Sequence, residues 1–159
     1  MMGPGRLSAS LALLVAVVSV LASGITTAGT GFGLLGLLAL AGGLLTNRSL
    51  AVLAGGGALA TATVLAGLAG GSPPALLVGT GAAILSFDLG QTALETRSYD
   101  ASTATTRGEL AHALSAMVFV SVLGGGALLV FRAAAGQGSP VALAALLVGA
   151  VCLTAATQV

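Results

Sequence analysis

Apolar residues run almost unbroken through the chain, and its few charges divide them into lengths that suit membrane helices. Between Arg6 and Arg48 lie 41 uncharged residues, and between Arg48 and Asp88 another 39. A helix needs about 20 apolar residues to cross a bilayer, so each run holds two spans and a turn. Turn chemistry falls where it is needed, at Gly24 to Gly31 in the first run and at Gly70-Gly71-Ser72-Pro73-Pro74 in the second. A fifth span fits Glu109 to Arg132 and a sixth fits Pro140 to Thr157, with Ala135-Gly136-Gln137-Gly138-Ser139 as the turn between them. The pattern predicts an all-α membrane protein, a polytopic bundle of about six transmembrane helices. The spans fall at approximately 7–24, 31–46, 49–70, 73–95, 108–132 and 140–157, within a single domain over 1–159.

Helix starts are marked as well. Ser72-Pro73 and Ser139-Pro140 each set a hydroxyl before a proline at the first helical position, where the missing N–H costs nothing. Asn47 is placed to cap the third helix, and Thr106-Arg107-Gly108-Glu109 reads as a capping box opening the fifth. Lipid cannot satisfy a free peptide group, so helices are the consistent form. A barrel would need alternation that runs such as Leu11 to Leu21 lack.

Composition turns this pattern into a solvent argument. Hydrophobic residues make up 57% of 159 and charged residues only 6%. Soluble domains carry about 25% charged residues, because water must wet their surface. The implied solvent is the lipid bilayer of the cell membrane. Net charge is +1 with no basic run, so nucleic-acid binding has no electrostatic footprint. All five basic residues are arginine, which excludes lysine Schiff-base chemistry and hints at a GC-rich genome. Cys152 is the single cysteine, so no internal disulfide or thiolate cluster can form.

With six spans and a cytoplasmic N-terminus, Arg6, Arg48, Arg97 and Arg107 fall inside and only Arg132 outside. That agrees with the positive-inside rule and places both termini in the cytoplasm. Arg6 followed by an apolar stretch and small residues near Ala22-Ser23-Gly24 imitates a secretory signal peptide. Everything downstream is also apolar, so an uncleaved first helix is the simpler account.

Glycines stud the predicted spans, among them Gly36, Gly43, Gly55 to Gly57 and Gly124 to Gly126. Close helix packing is the plain account of them, and a glycine-lined path is the functional alternative. Gly55-Gly56-Gly57-Ala58-Leu59 before Gly71-Ser72-Pro73 resembles Gly124-Gly125-Gly126-Ala127-Leu128 before Gly138-Ser139-Pro140. Such similarity fits either an internal duplication or chance in a four-letter alphabet.

Nearly all versatile chemistry lies between Asp88 and Ser115. The apolar part of span four, Ala75 to Phe87, is only 13 residues, so the helix must continue through Asp88 to about Glu95. Asp88, Gln91 and Glu95 then share a face with Thr92 beside them, and Glu109, His112 and Ser115 share a face of span five. Antiparallel packing brings the two faces together. One reading of this belt (Asp88, Gln91, Glu95, Arg107, Glu109, His112) is a proton or ion relay, since an intramembrane carboxylate commonly marks a cavity or partner. The other is a structural clasp in which Arg97, Arg107 and His112 neutralise Asp88 and Glu95. No zinc-type ligand spacing and no cofactor fingerprint occur, so no metal or cofactor is expected, and no nucleophile–base constellation argues for an enzyme.

Ser86-Phe87-Asp88-Leu89-Gly90-Gln91 and Thr106-Arg107-Gly108-Glu109-Leu110-Ala111-His112-Ala113 resemble a family of small haloarchaeal membrane proteins. The resemblance covers about 86–132. Genes of that family tend to lie near those of MoxR-type ATPases, which implies a multi-pass protein working with an ATPase-linked assembly. That family has no established active site, so no residue role carries over. The expectation is a non-enzymatic membrane subunit or scaffold, docking a partner through the 97–107 loop. The alternative is a small proton- or ion-coupled transporter or channel component.

Overall fold

A computed structural model of the chain describes residues 5–23, 27–98 and 106–134. Five helices occupy them: α1 (Arg6–Ala22), α2 (Thr27–Thr46), α3 (Ser49–Leu68), α4 (Pro73–Ser98) and α5 (Thr106–Ala134). Four contain stretches long and apolar enough to cross a membrane, namely Ala28–Thr46, Ser49–Leu68, Pro73–Arg97 and Arg107–Ala133. Among the described residues four spans are thus shown, not the six expected. The first expected span forms a helix of 17 residues, shorter than those four. The expected sixth, 140–157, lies outside the described residues, as does Cys152.

The turns show why the helices end where they do. Asn47, expected to cap α3, instead takes a left-handed φ of 56° as the residue that stops α2. Arg48 N–H then reaches back to the Gly43 carbonyl at 2.9 Å. Asparagine tolerates that conformation, and the bond satisfies a carbonyl that the helix end would leave orphaned. Arg48 is itself the residue before α3, with extended backbone and no side-chain cap. Gly70, at φ 85°, closes α3 the same way, with Gly71 N–H on the Ala66 carbonyl at 2.9 Å. At the next start, the Ser72 carbonyl accepts from Leu76 N–H at 3.0 Å just before Pro73. The glycines at 29 and 31, read as part of a turn, lie inside α2.

Contacts divide the chain into two compact units, residues 1–122 and 123–159, with the boundary inside α5. In the first unit, neighbouring helices run antiparallel. α2 and α3 approach most closely, because a Cβ on Gly55 would lie 2.6 Å from the Leu40 nitrogen and one on Gly43 2.7 Å from the Val52 nitrogen. α3 packs on α4, with Gly56 against Phe87 and Gly90 against Val52. α1 lies along α4 from Gly5 beside Ala93 to Ser19, whose hydroxyl donates to the Gly79 carbonyl at 2.9 Å. Ala12, Ala16, Leu40, Val52, Leu59 and Leu89 form the buried centre. Alanines there and glycines at the contacts let the backbones approach, so dispersion at close range holds these helices together.

This layout gathers Arg6, Arg48, Arg97 and Arg107 at one end of the first unit. Arg97 Nη1 donates to the Leu44 carbonyl at 2.6 Å, near the end of α2. A cation there also complements the negative end of the α2 dipole.

Candidate functional site

The residues expected to form one polar belt separate into two groups with different surroundings. Glu109 and His112 sit three residues apart on α5, yet they turn to different neighbours. Glu109 is buried at 8% exposure and engages the N-terminus of α1. Its Oε1 accepts from Gly5 N–H at 3.0 Å, and its Oε2 accepts from Ser8 N–H at 3.2 Å and the Ser8 hydroxyl at 3.0 Å. α1 has no acidic residue in its first turn, and its cap residue, Gly5, has no side chain. Glu109 therefore supplies from another helix both the missing acceptors and a favourable charge at the dipole's positive end. The sequence assigned this carboxylate to a capping box on its own helix. Competition from three donors on α1 redirects it. Gly5 permits the approach, since a Cβ there would lie 2.5 Å from the Ala93 oxygen, and its φ of 73° suits glycine.

His112 faces α4. Its Nε2 lies 3.0 Å from Asp88 Oδ2 and 3.2 Å from Thr92 Oγ1. An ionised carboxylate only accepts hydrogen bonds, so Nε2 is the donor to it. Ser115 donates its hydroxyl to the His112 carbonyl at 2.8 Å, one turn along the same helix. The two partners are neither buried nor fully wet: the side chains are 45% exposed for His112 and 44% for Asp88. They stand at one end of a groove of about 480 Å³ between α4 and α5. Beyond them the walls are Leu85 and Ala116, then Ile84, Phe119 and Val120. The helices close again at Gly81, where a Cβ would lie 2.9 Å from Val120 Cγ1.

Other members of the expected belt stand apart from this pair. Gln91 is half-buried and Glu95 exposed toward the end of α4, while Arg107 is exposed at the start of α5. Of the three cations that the clasp reading gave jointly to Asp88 and Glu95, His112 meets Asp88, and Arg97 reaches the Leu44 carbonyl on α2. Among the described residues no three potential metal ligands gather, since Glu109 faces away from Asp88 and His112. Most of the loop considered for docking, 99–105, lies outside the described residues. Sequence reasoning missed Gly5 and Ser8, which lack any local motif, while Thr92 was placed beside the belt and does reach His112.

The described residues define an all-helical protein with four helices fit to cross a membrane and a carboxylate–imidazole pair at the mouth of an interhelical groove. The chain belongs to a family of unknown function, DUF7519, whose profile matches residues 2–154. No curated protein and no solved structure matches it.

Proposed function

We propose that this chain is a non-enzymatic membrane subunit that scaffolds a partner in the bilayer of the cell membrane. The observation that carries the reading is α5. Its stretch Arg107–Ala133 has the highest mean hydropathy of the four, 2.2, and none of its apolar window is buried. Leu114, Val118 and Val122 are each more than half exposed. Such a face requires lipid or another helix, and a subunit presents it to a partner. α1 serves as a further span in this proposal, because it follows α4 from Ala93 to Gly79. Its hydrogen bonds to Glu109 favour a retained first helix over a cleaved leader. The arginine-rich end is the cytoplasmic one, with the N-terminus there and the C-terminus returned to it by a sixth span. The 97–107 loop would then present the cytoplasmic docking segment. The haloarchaeal resemblance directs the search for its partner to an ATPase assembly of the MoxR type.

Photo-crosslinking in the native membrane tests this. A benzophenone side chain at Val118 is expected to give one discrete protein adduct, and the same group at Leu38 on exposed α2 to give lipid adducts only. Equal, diffuse labelling at both positions overturns the proposal.

The half-exposed Asp88–His112 pair favours a second reading, a proton- or ion-coupled transport component. It expects pH-driven ion flux in proteoliposomes that Asp88→Asn and His112→Gln each abolish. Absence of flux for protons and sodium under an imposed gradient rejects it.

A further inference from the structure

Away from the groove, charge is most concentrated at the arginine-bearing end of the first unit. Four helix ends meet there: Gly5 lies beside Ala93 and Arg97, Arg97 reaches the Leu44 carbonyl, and Glu109 reaches Gly5. Arg97 is half-buried among them and its guanidinium is engaged. Arg6, Arg48 and Arg107 are exposed, and none makes a side-chain hydrogen bond or ion pair among the described residues.

Each of these three stands where a helix begins: Arg6 opens α1, Arg48 precedes α3 and Arg107 is second in α5. Neither α1 nor α3 has an acid in its first turn, and that of α5, Glu109, is buried against α1. A helix dipole is positive at its start, so each arginine adds to a positive potential instead of offsetting a partner. Among the described residues, Glu95 and Glu109 are the carboxylates at this end, facing four guanidiniums. Asp100 lies outside the described residues, and with it counted the cations are still in excess.

Neighbouring side chains set the depth of these cations. Leu45 is 87% exposed and Leu50 78%, on either side of Arg48, and Leu110 is half exposed three residues after Arg107. At 1.5 Å per residue, Leu50 and Leu110 lie within about 5 Å of their arginines along the helix axis. Leucines so exposed belong in hydrocarbon, which sets the guanidiniums at its edge, level with lipid phosphates. A water-soluble acidic protein would leave those leucines unexplained. Guanidinium and phosphate match through two parallel N–H···O bonds. A zwitterionic head brings its own cation, so only an anionic head also supplies the missing charge.

We propose that Arg6, Arg48 and Arg107 form a belt that binds the phosphates of anionic phospholipids in the leaflet at this end of the bundle. The belt rests on the bilayer placement proposed above and shares Arg107 with the docking loop. The purified chain tests it with no partner present, so the two proposals can fail separately.

The measurement is native mass spectrometry of the full chain in mild detergent, with phosphatidylglycerol or phosphatidylcholine of matched acyl chains added. An arginine near an anionic surface contributes roughly fivefold in affinity. Phosphatidylglycerol is therefore expected to show one binding event per arginine, each about fivefold tighter than phosphatidylcholine. Arg6→Gln, Arg48→Gln and Arg107→Gln should each remove one such event, and the triple variant should bring the two lipids level. Arg132→Gln, in the last turn of α5, should change nothing. All four positions are exposed, and an unchanged circular-dichroism spectrum checks the fold of each variant. The preference should shrink as ammonium acetate rises from about 0.05 to 0.5 M, because salt screens exposed charge. Equal affinity for the two lipids overturns the proposal and leaves the arginines to an acidic protein. A preference that survives the triple variant, one that falls equally with Arg132→Gln, or displacement of the lipid by millimolar inorganic phosphate overturns it as well.

Discussion

The contact between α2 and α3 and the contact between α4 and α5 join antiparallel helices by opposite means. Across the first, glycines at 36, 43 and 55 let backbone meet backbone, and no ionisable group lies between. Across the second, side chains bridge a wider gap, and an acid, an imidazole and a groove occupy it. Close contact fixes geometry by excluding everything else. A wider one holds chemistry because space remains for it. In lipid the distinction is sharp, since apolar side chains gain nothing by leaving hydrocarbon for one another and association depends on fit.

The largest expected effect attacks the close pair. Gly55→Ala would place a methyl 2.6 Å from the Leu40 nitrogen and 2.9 Å from the Gly36 oxygen. Both are backbone atoms, so the helices must separate. We expect a loss of about 3 kcal/mol, read from the SDS mole fraction that halves the helical circular-dichroism signal. Gly57→Ala, on the same helix with open space around it, is the matched control and should change little. Equal behaviour of the two would remove the basis for calling this contact close.

Glu109 is the next test, because it belongs by sequence to the α4–α5 hairpin yet acts on α1. Removing a charged acceptor from a buried site strands its donors, here Gly5 N–H, Ser8 N–H and the Ser8 hydroxyl. Glu109→Ala is expected to cost about 2 kcal/mol and Glu109→Gln about 1, because the amide keeps one acceptor. Hydrogen exchange should quicken at residues 5–9 in both and stay unchanged at 52–62. Uniform quickening along the chain would show a general unfolding instead of a lost cap.

How much of this was legible in the sequence depends on the range of the interaction. Charge spacing and turn residues located α2 to α5 within a few residues, because lipid enforces long apolar helices that composition records directly. The nearness of Asp88 and His112 also follows from local rules, since each sits on a helix face with its polar neighbours and the hairpin is antiparallel. Glu109 shows where local rules stop. Its spacing from Thr106 imitates a capping box, but the donors it serves lie 101 and 104 residues away in sequence. Arg97 likewise reaches a carbonyl 53 residues distant that has no side-chain signature. Asn47 was misread for a different reason: a two-residue turn must both stop one helix and start the next, and stopping required the left-handed conformation.

The smallest stability effect is expected at the pair with the most chemistry. Asp88 and His112 are almost half exposed, and a pair with that much access contributes less than about 1 kcal/mol. Asp88→Asn keeps the shape and an acceptor for His112 Nε2, so the unfolding midpoint should barely move. Any ion flux should nevertheless cease. Glu109→Gln should show the reverse, with a lower midpoint and flux retained. That crossing of effects separates a carboxylate that holds helices from one that faces the groove. If Asp88→Asn destabilised the bundle as much as Glu109→Ala, the wide contact would be structural after all, and the contrast with α2–α3 would reduce to spacing.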